Sequence, residues 1–345
     1  MLSALADPRS LRYEPSAAGI EAARSAVSQY YLDALNREVS PGRVLLTAST
    51  SEAYGFLFKL LADPGDEVLV PRPSYPLFDY LAALDSVRVV QYPLAMPGSG
   101  GAAWNIDFDA LTRAVTPRAR AIVLVNPNNP TGSFLKQSEL APLLALCRDH
   151  NLALISDEVF ADYSLQRQAP VVRSLTDIDA VLTFCLSGLS KVAALPQLKL
   201  GWIVIGGPSG DRRQAFERLE LIADTYLSVG APVQWAAPAL LGQRAELQRQ
   251  ILDRVRANRD YLESQIGPAS PWRLLPTEGG WCAVLEAPRI YPEEEWVLKL
   301  LGEENVLVQP GFFFDFEREA FLVLSLLTPE TTFREGARRI LKNAT

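Results

Sequence analysis

The sequence predicts an α/β protein: a large domain with a mainly parallel sheet covered by helices on both faces, beside a smaller α+β domain built from the C-terminal part and an N-terminal segment. Three observations carry this. At 345 residues the chain exceeds a typical single domain, which favours one large unit plus a smaller one. From about residue 43 to 205, short and nearly continuous apolar runs alternate with helical patterns, as strands buried on both faces do. Beyond residue 207 two long helical stretches follow, then strand-like runs between helices, which reads as α+β.

The elements follow in order. Residues 1–40 form an N-terminal segment expected to join the small domain, 41–232 the large domain and 233–345 the small one. Strands are predicted at 44–46, 67–70, 87–90, 121–125, 153–155, 181–184 and 202–205. The stretch 62–66 reads as a helix stop and turn, and 96–101, rich in Pro and Gly, as an exposed loop. Helices are predicted over roughly 209–228 and 234–265, with strands at 281–285 and 321–325. Glu293, Glu294 and Glu295 open a further helical pattern, where acidic side chains favour the helix dipole.

Composition excludes several functions. A net charge of -7 lacks the basic footprint of a nucleic-acid partner. Cys147, Cys185 and Cys282 are scattered without a CxxC pair, so they read as small core hydrophobes in a reducing cytoplasm and not as a metal site or disulfide frame. No stretch is long and apolar enough to span a bilayer, and no signal peptide follows Met1. The single histidine, His150, lies in a polar run that reads as a helix end. Ser-His-Asp, Cys-His and histidine-metal chemistry are therefore poor fits. An enzyme built on this chain would move protons with lysine, carboxylate or tyrosine.

In an open parallel sheet, ligands bind beyond the carboxyl ends of the strands. Here those ends lead into Thr47 to Ser51, Asn126 to Gly132, Ser156-Asp157-Glu158 and Ser187 to Lys191. Each has a bland reading: a turn, a helix cap or a surface lysine. Their coincidence at successive strand ends is the signal. Gly206 to Gly210 is not GxGxxG and follows a late strand, so a nicotinamide site is not indicated.

These segments resemble those of the fold-type I aminotransferases. Asn126 to Gly132 is similar to that family's NPNNPTG motif, and Ser187 to Lys191 with Lys199 to Trp202 to its lysine segment. Leu46 to Ala53 resembles its phosphate loop, Asp63 to Asp66 and Pro73 to Pro76 the stretch that carries its ring-stacking aromatic, and Ser156 to Glu158 its acidic strand end. The likeness runs in order from about Tyr13 to the C-terminus.

The resemblance implies a transferase that moves an amino group between an amino acid or amine and a 2-oxo acid, using pyridoxal 5'-phosphate. It implies that Lys191 carries the cofactor as a Schiff base and is the acid/base of the reaction. It implies that Asp157 pairs with the pyridine nitrogen and Asn129 with the phenolic oxygen, and that Tyr75 stacks on the ring. Ser49, Thr50 and Ser51 at a helix N-terminus would hold the phosphate, with hydroxyls from Ser190 and Ser187 and a charge from Lys199. Tyr13 would reach the phosphate of a neighbouring subunit, in a homodimer with shared active sites.

Three positions depart from the family. Lys199 stands where an arginine is usual, which keeps the charge and loses the bidentate fork. Phe160 stands where a tyrosine donates to the phenolic oxygen. Val323 stands where an arginine grips the substrate carboxylate, so Arg72, Arg289 or Arg318 would have to substitute, or the substrate is not a simple α-amino acid. The chain starts close to Tyr13, so the N-terminal arm is expected to be short. Other reactions of the same cofactor (a lyase, a cyclase, an oxidase) use the same residues, and a non-catalytic cofactor-binding protein is the reading from another class.

Overall fold

The structure is a computed structural model and describes residues 1–98, 102–165 and 170–343; the tip of the 96–101 loop lies outside them. The large sheet has the spatial order Val44–Thr47, Gly201–Gly206, Thr183–Gly188, Ala153–Asp157, Ala119–Val125, Glu67–Arg72, Arg88–Ala95, Asn105–Ile106. Gly201–Gly206 runs antiparallel to both of its neighbours, and the short edge strand Asn105–Ile106 is antiparallel as well. All other pairings are parallel.

Alternation along the strands sends side chains into two cores, one on each face. Val44, Leu46, Trp202 and Val204 face one, with Val27, Leu143 and Ala237 from helices Glu21–Leu35, Gln137–Asp149 and Ala231–Gly242. Leu45, Ile203 and Ile205 face the other, with Leu57, Ala82 and Leu219 from helices Thr50–Leu61, Phe78–Leu84 and Ser209–Tyr226. Both faces are thus dry, which is why the strands read as continuous apolar runs.

The small sheet is antiparallel, in the order Arg273–Leu274, Cys282–Glu286, Phe321–Ser325, Gln309–Pro310. One of its faces packs on helices Arg244–Ser264, Glu293–Glu304 and Glu330–Lys342 through Val255, Trp296, Leu322, Leu324 and Phe333.

Three expectations change. Residues 21–35 do not join the small domain: Ala23, Val27, Tyr30 and Tyr31 pack on the large sheet. The single helix predicted over 234–265 is two, Ala231–Gly242 and Arg244–Ser264. The first buries Val233, Ala237 and Leu241 in the large core and the second Val255 and Leu262 in the small one, so the chain turns between them and the large core extends past residue 232. The strand predicted at 181–184 lies at Thr183–Gly188, because residues up to Gly188 pair with Gly201–Gly206.

Candidate active site

The parallel strands deliver the predicted segments to one edge. Val125 pairs with Asp157 and Asp157 with Leu186, so Asn126, Asp157 and the Ser187–Lys191 segment emerge side by side. Lys191 rides on the short helix Leu189–Val192 that follows directly.

Asp157 is buried. Its Oδ1 accepts from the Val159 amide at 3.2 Å, and its Oδ2 from Tyr54 Oη at 3.2 Å. Burial pushes the carboxyl up to about 6, while these two donors and the Lys191 charge pull it down. Lys191 is half-buried, and desolvation lowers its ammonium below the ordinary lysine range against the pull of Asp157 and Cys282. Each group feels the other's charge, in a dry place that raises the carboxyl and lowers the ammonium.

An aromatic wall closes over the amine. Lys191 Nζ is 5.3 Å from the Trp281 ring and 5.7 Å from Phe160. Tyr163 braces that wall edge-on, 4.8 Å from Trp281. Cys282 Sγ lies 3.8 Å from Asn129 Oδ1, and burial raises its thiol to about 11. This corrects the reading of all three cysteines as core: Cys147 and Cys185 are core, whereas Cys282 borders the site. His150 caps its helix in solvent as expected.

Ser49 caps the helix Thr50–Leu61, its Oγ accepting from the Glu52 amide at 3.2 Å, with Thr50 and Ser51 in the first turn. Gly201 meets this loop so closely that a Cβ there would stand 3.0 Å from Ser49 and from Thr47 Oγ1. That contact brings the turn holding Lys199, exposed and with φ 55°, beside the helix N-terminus. Ser190 is half-buried next to Lys191, and Ser187 Oγ is buried without a partner. Tyr75 is half-buried, 6.0 Å from Phe78, and the Asp157 charge raises its phenol together with desolvation. Ser74 Oγ donates to Asn128 at 2.8 Å, tying the Tyr75 segment to the Asn126–Gly132 segment.

Tyr13 is not brought to this cluster. It is exposed and lines a groove with Ser10, Leu11, Ser228 and Val229. The three arginines considered for a substrate carboxylate are each committed elsewhere. Arg72 pairs with Glu317, Arg318 with Glu286 at 2.9 Å, and Arg289 stands 3.9 Å from Glu286.

Tyr54, Tyr163, Trp281 and Cys282 carry no motif of their own. Tyr54 lies one helical turn beyond Thr50, on the helix the phosphate loop opens, and that spacing was the available signal. Among the described residues no cluster of His, Cys, Asp or Glu could hold a metal, and no helix is long and apolar enough to cross a membrane.

A large, mainly parallel sheet and a small antiparallel one, with a desolvated lysine and a buried aspartate at the strand ends, suit a lysine-dependent enzyme, and comparison with known proteins narrows the class. The family model for aminotransferases of class I and II matches residues 3–340. The glutamate–pyruvate aminotransferase AlaA of Escherichia coli is 30% identical over 316 residues, 86% of this chain and 74% of that protein. An alanine aminotransferase of Mycobacterium tuberculosis is 29% identical over 90% of this chain and 72% of its own. In three dimensions, an alanine aminotransferase from Pyrococcus furiosus superposes with a TM-score of 0.88 at 24% identity, covering 99% of this chain and 85% of the other. The chain belongs to the class I and II aminotransferases.

Its cofactor is pyridoxal phosphate, and the residues present fit that group. The Lys191 charge pulls on Asp157, a buried carboxyl whose two hydrogen-bond donors, the Val159 amide and the Tyr54 hydroxyl, are both neutral. The orphaned Ser187 hydroxyl and the capped helix N-terminus at Ser49 add donors on the same edge.

Proposed function

We propose that Lys191 and Asp157 run amino transfer in two halves, from an amino donor to a 2-oxo acid acceptor, at the site described above. The observation that carries this is the desolvated pair itself: Lys191 lowered and Asp157 raised, beneath the Trp281–Phe160 wall. Bound pyridoxal phosphate supplies an electron sink for the pair left when the donor carbon loses its proton. Lys191 Nζ would take that proton and hold it for return; its lowered basicity keeps a neutral fraction available. Asp157 would hold a proton at the ring nitrogen, Asn129 would orient the phenolic oxygen, and Tyr75 would cover one ring face. Ser49, Thr50, Ser51, Ser190 and Lys199 hold the phosphate.

Relatives named for glutamate, pyruvate and alanine support small amino and 2-oxo acids as first substrates to try. Tyr13, with Leu2, Leu5 and Leu11 exposed nearby in the chain, supports a homodimer in which that tyrosine serves the neighbouring site. A division near residue 243, a cytoplasmic location and the absence of a nucleic-acid partner complete the reading. The test is the visible spectrum of the loaded protein. Amino donors should bleach it, a 2-oxo acid should restore it, and Lys191→Ala should abolish borohydride trapping at that residue. Ammonia release without spectral cycling would instead mark a lyase.

A further inference from the structure

The small sheet turns a second face away from its helices, and this face reaches the lysine. In an antiparallel pair, residues directly opposite share a face, as do residues two apart. Cys282 opposes Ser325, and Val284 opposes Val323, so these four lie on one face. Cys282 fixes which way it looks, since its sulfur meets Asn129 and its thiol responds to the Lys191 charge. Its sequence neighbour Trp281 is the wall over Lys191 Nζ.

Beyond Cys282 and Ser325 that face carries Val284 and Val323, with Gln309 opposite Val323 as a neutral polar neighbour. Val323 is 3% exposed and Val284 1%, and Val284 packs with Phe321, Leu275 and Trp104. The charged residue further along, Glu286, is taken up by Arg273 and Arg318 at the far end of the strand. Among the described residues, Arg72 pairs through its Nη2 with Glu317, and Lys136 pairs with Glu278. A carboxylate on the reacting carbon, turned toward this face, would lose its hydration with no cation beside Cys282 and Val323, among the described residues, to replace it.

We propose that the site ranks its amino donors by apolar contact with Val323 and Cys282, preferring donors whose reacting carbon carries an uncharged substituent over donors carrying a carboxylate there. The inference rests on the aminotransferase reading. In the balanced reaction the donor's C–N bond breaks, and the donor carbon is oxidised by two electrons to an aldehyde or ketone. The acceptor carbonyl is reduced by two electrons and gains the nitrogen, and its oxygen ends on the donor carbon by way of water.

The experiment compares matched donors on the loaded protein: L-phenylalanine, L-phenylalaninamide and 2-phenylethylamine, then L-alanine, L-alaninamide and ethylamine. Rates of spectral bleaching are read together with the carbonyl product by mass spectrometry. The uncharged member of each set should exceed the acid in kcat/KM by at least tenfold. Val323→Arg should reverse the order, raising the acid by a hundredfold or more. As a binding measurement that needs no variant, 3-phenylpropanamide should raise the melting temperature of the loaded wild-type protein more than 3-phenylpropanoate does. Acids reacting as fast as, or faster than, their uncharged partners would overturn the ranking and leave aminotransfer standing. Transfer from neither class would overturn both.

Discussion

The phenol of Tyr163 donates a 2.6 Å hydrogen bond to the main-chain carbonyl of Lys191. A four-residue helix, Leu189–Val192, satisfies its last carbonyls poorly: from the local backbone, that of Lys191 receives a long 3.4 Å bond from the Ala194 amide. Tyr163 supplies a further donor, and Gln248 Nε2 supplies another to Val192 at 2.8 Å. The same tyrosine ring stands against Trp281, and its carbonyl accepts from the Gly280 amide at 2.9 Å. One residue thus ties the lysine's backbone to the aromatic wall above its amine.

Tyr163→Phe keeps the ring and removes the bond to Lys191. The expected cost is about 1 kcal/mol of stability, measured by urea unfolding, since one buried hydrogen bond is lost. The rate should fall more than the affinity, by about tenfold in kcat with KM nearly unchanged, because the loss is in the aim of Nζ. An unchanged kcat would limit Tyr163 to packing.

Much of this was legible from the chain. The strands showed because residues such as Val44, Leu45 and Leu46 feed cores on both faces and must all be apolar. Asp157 and Lys191 showed because strand ends converge. Tyr54, Tyr163 and Trp281 did not, because their roles arise from tertiary approach: Tyr54 donates to Asp157 from another element, and Trp281 comes from ninety residues beyond Lys191. The packing of Glu21–Leu35 on the large sheet was equally hidden, since an amphipathic helix does not name its partner.

In the proposed site, Phe160 leaves the phenolic side one donor short. Its ring sits 5.2 Å from Trp281, so the added hydroxyl of Phe160→Tyr has a fixed place to project from. A new donor stabilises the deprotonated cofactor chromophore by the worth of a charge-assisted bond, and so lowers the pH at which it loses its proton. The midpoint of the absorbance titration should drop by about one pH unit in the tyrosine variant. An unchanged or raised midpoint would refute this reading of Phe160.

Gly132 ends the Asn126–Gly132 segment with φ 71°, its amide donating to the Asn128 carbonyl at 2.8 Å. A Cβ at this position would lie 2.4 Å from the Gly279 carbonyl oxygen and 2.5 Å from Thr277 Cγ2. Gly132→Ala therefore combines a left-handed backbone penalty with a clash against the segment leading to Trp281. The sum should be about 2–4 kcal/mol by urea unfolding. Cofactor affinity should weaken with it, because the aromatic wall is pushed off Lys191. A variant within 1 kcal/mol of wild type would mean that the two segments part without cost.

Asp157 makes the cofactor-free protein sensitive to pH in a defined direction. Its carboxyl rises from 3.8 to about 6 on folding, chiefly through burial. A raised acid favours the fold while it keeps its proton. That contribution is complete below the unfolded value of 3.8 and is lost as pH climbs through about 6. The displacement is worth about 3 kcal/mol. Asn in its place has no proton to lose, so the stability of Asp157→Asn relative to wild type should improve by up to that amount between pH 4 and pH 7, measured without cofactor. Glu158, also raised, is present in both proteins and cancels in the difference. Adding pyridoxal phosphate should invert the comparison at neutral pH, since the ionised aspartate then has a protonated ring nitrogen to face and the asparagine does not. If the two cofactor-free proteins lose stability in parallel from pH 4 to pH 7, the carboxyl is not held neutral by burial, and the pairing with Lys191 alone governs its charge.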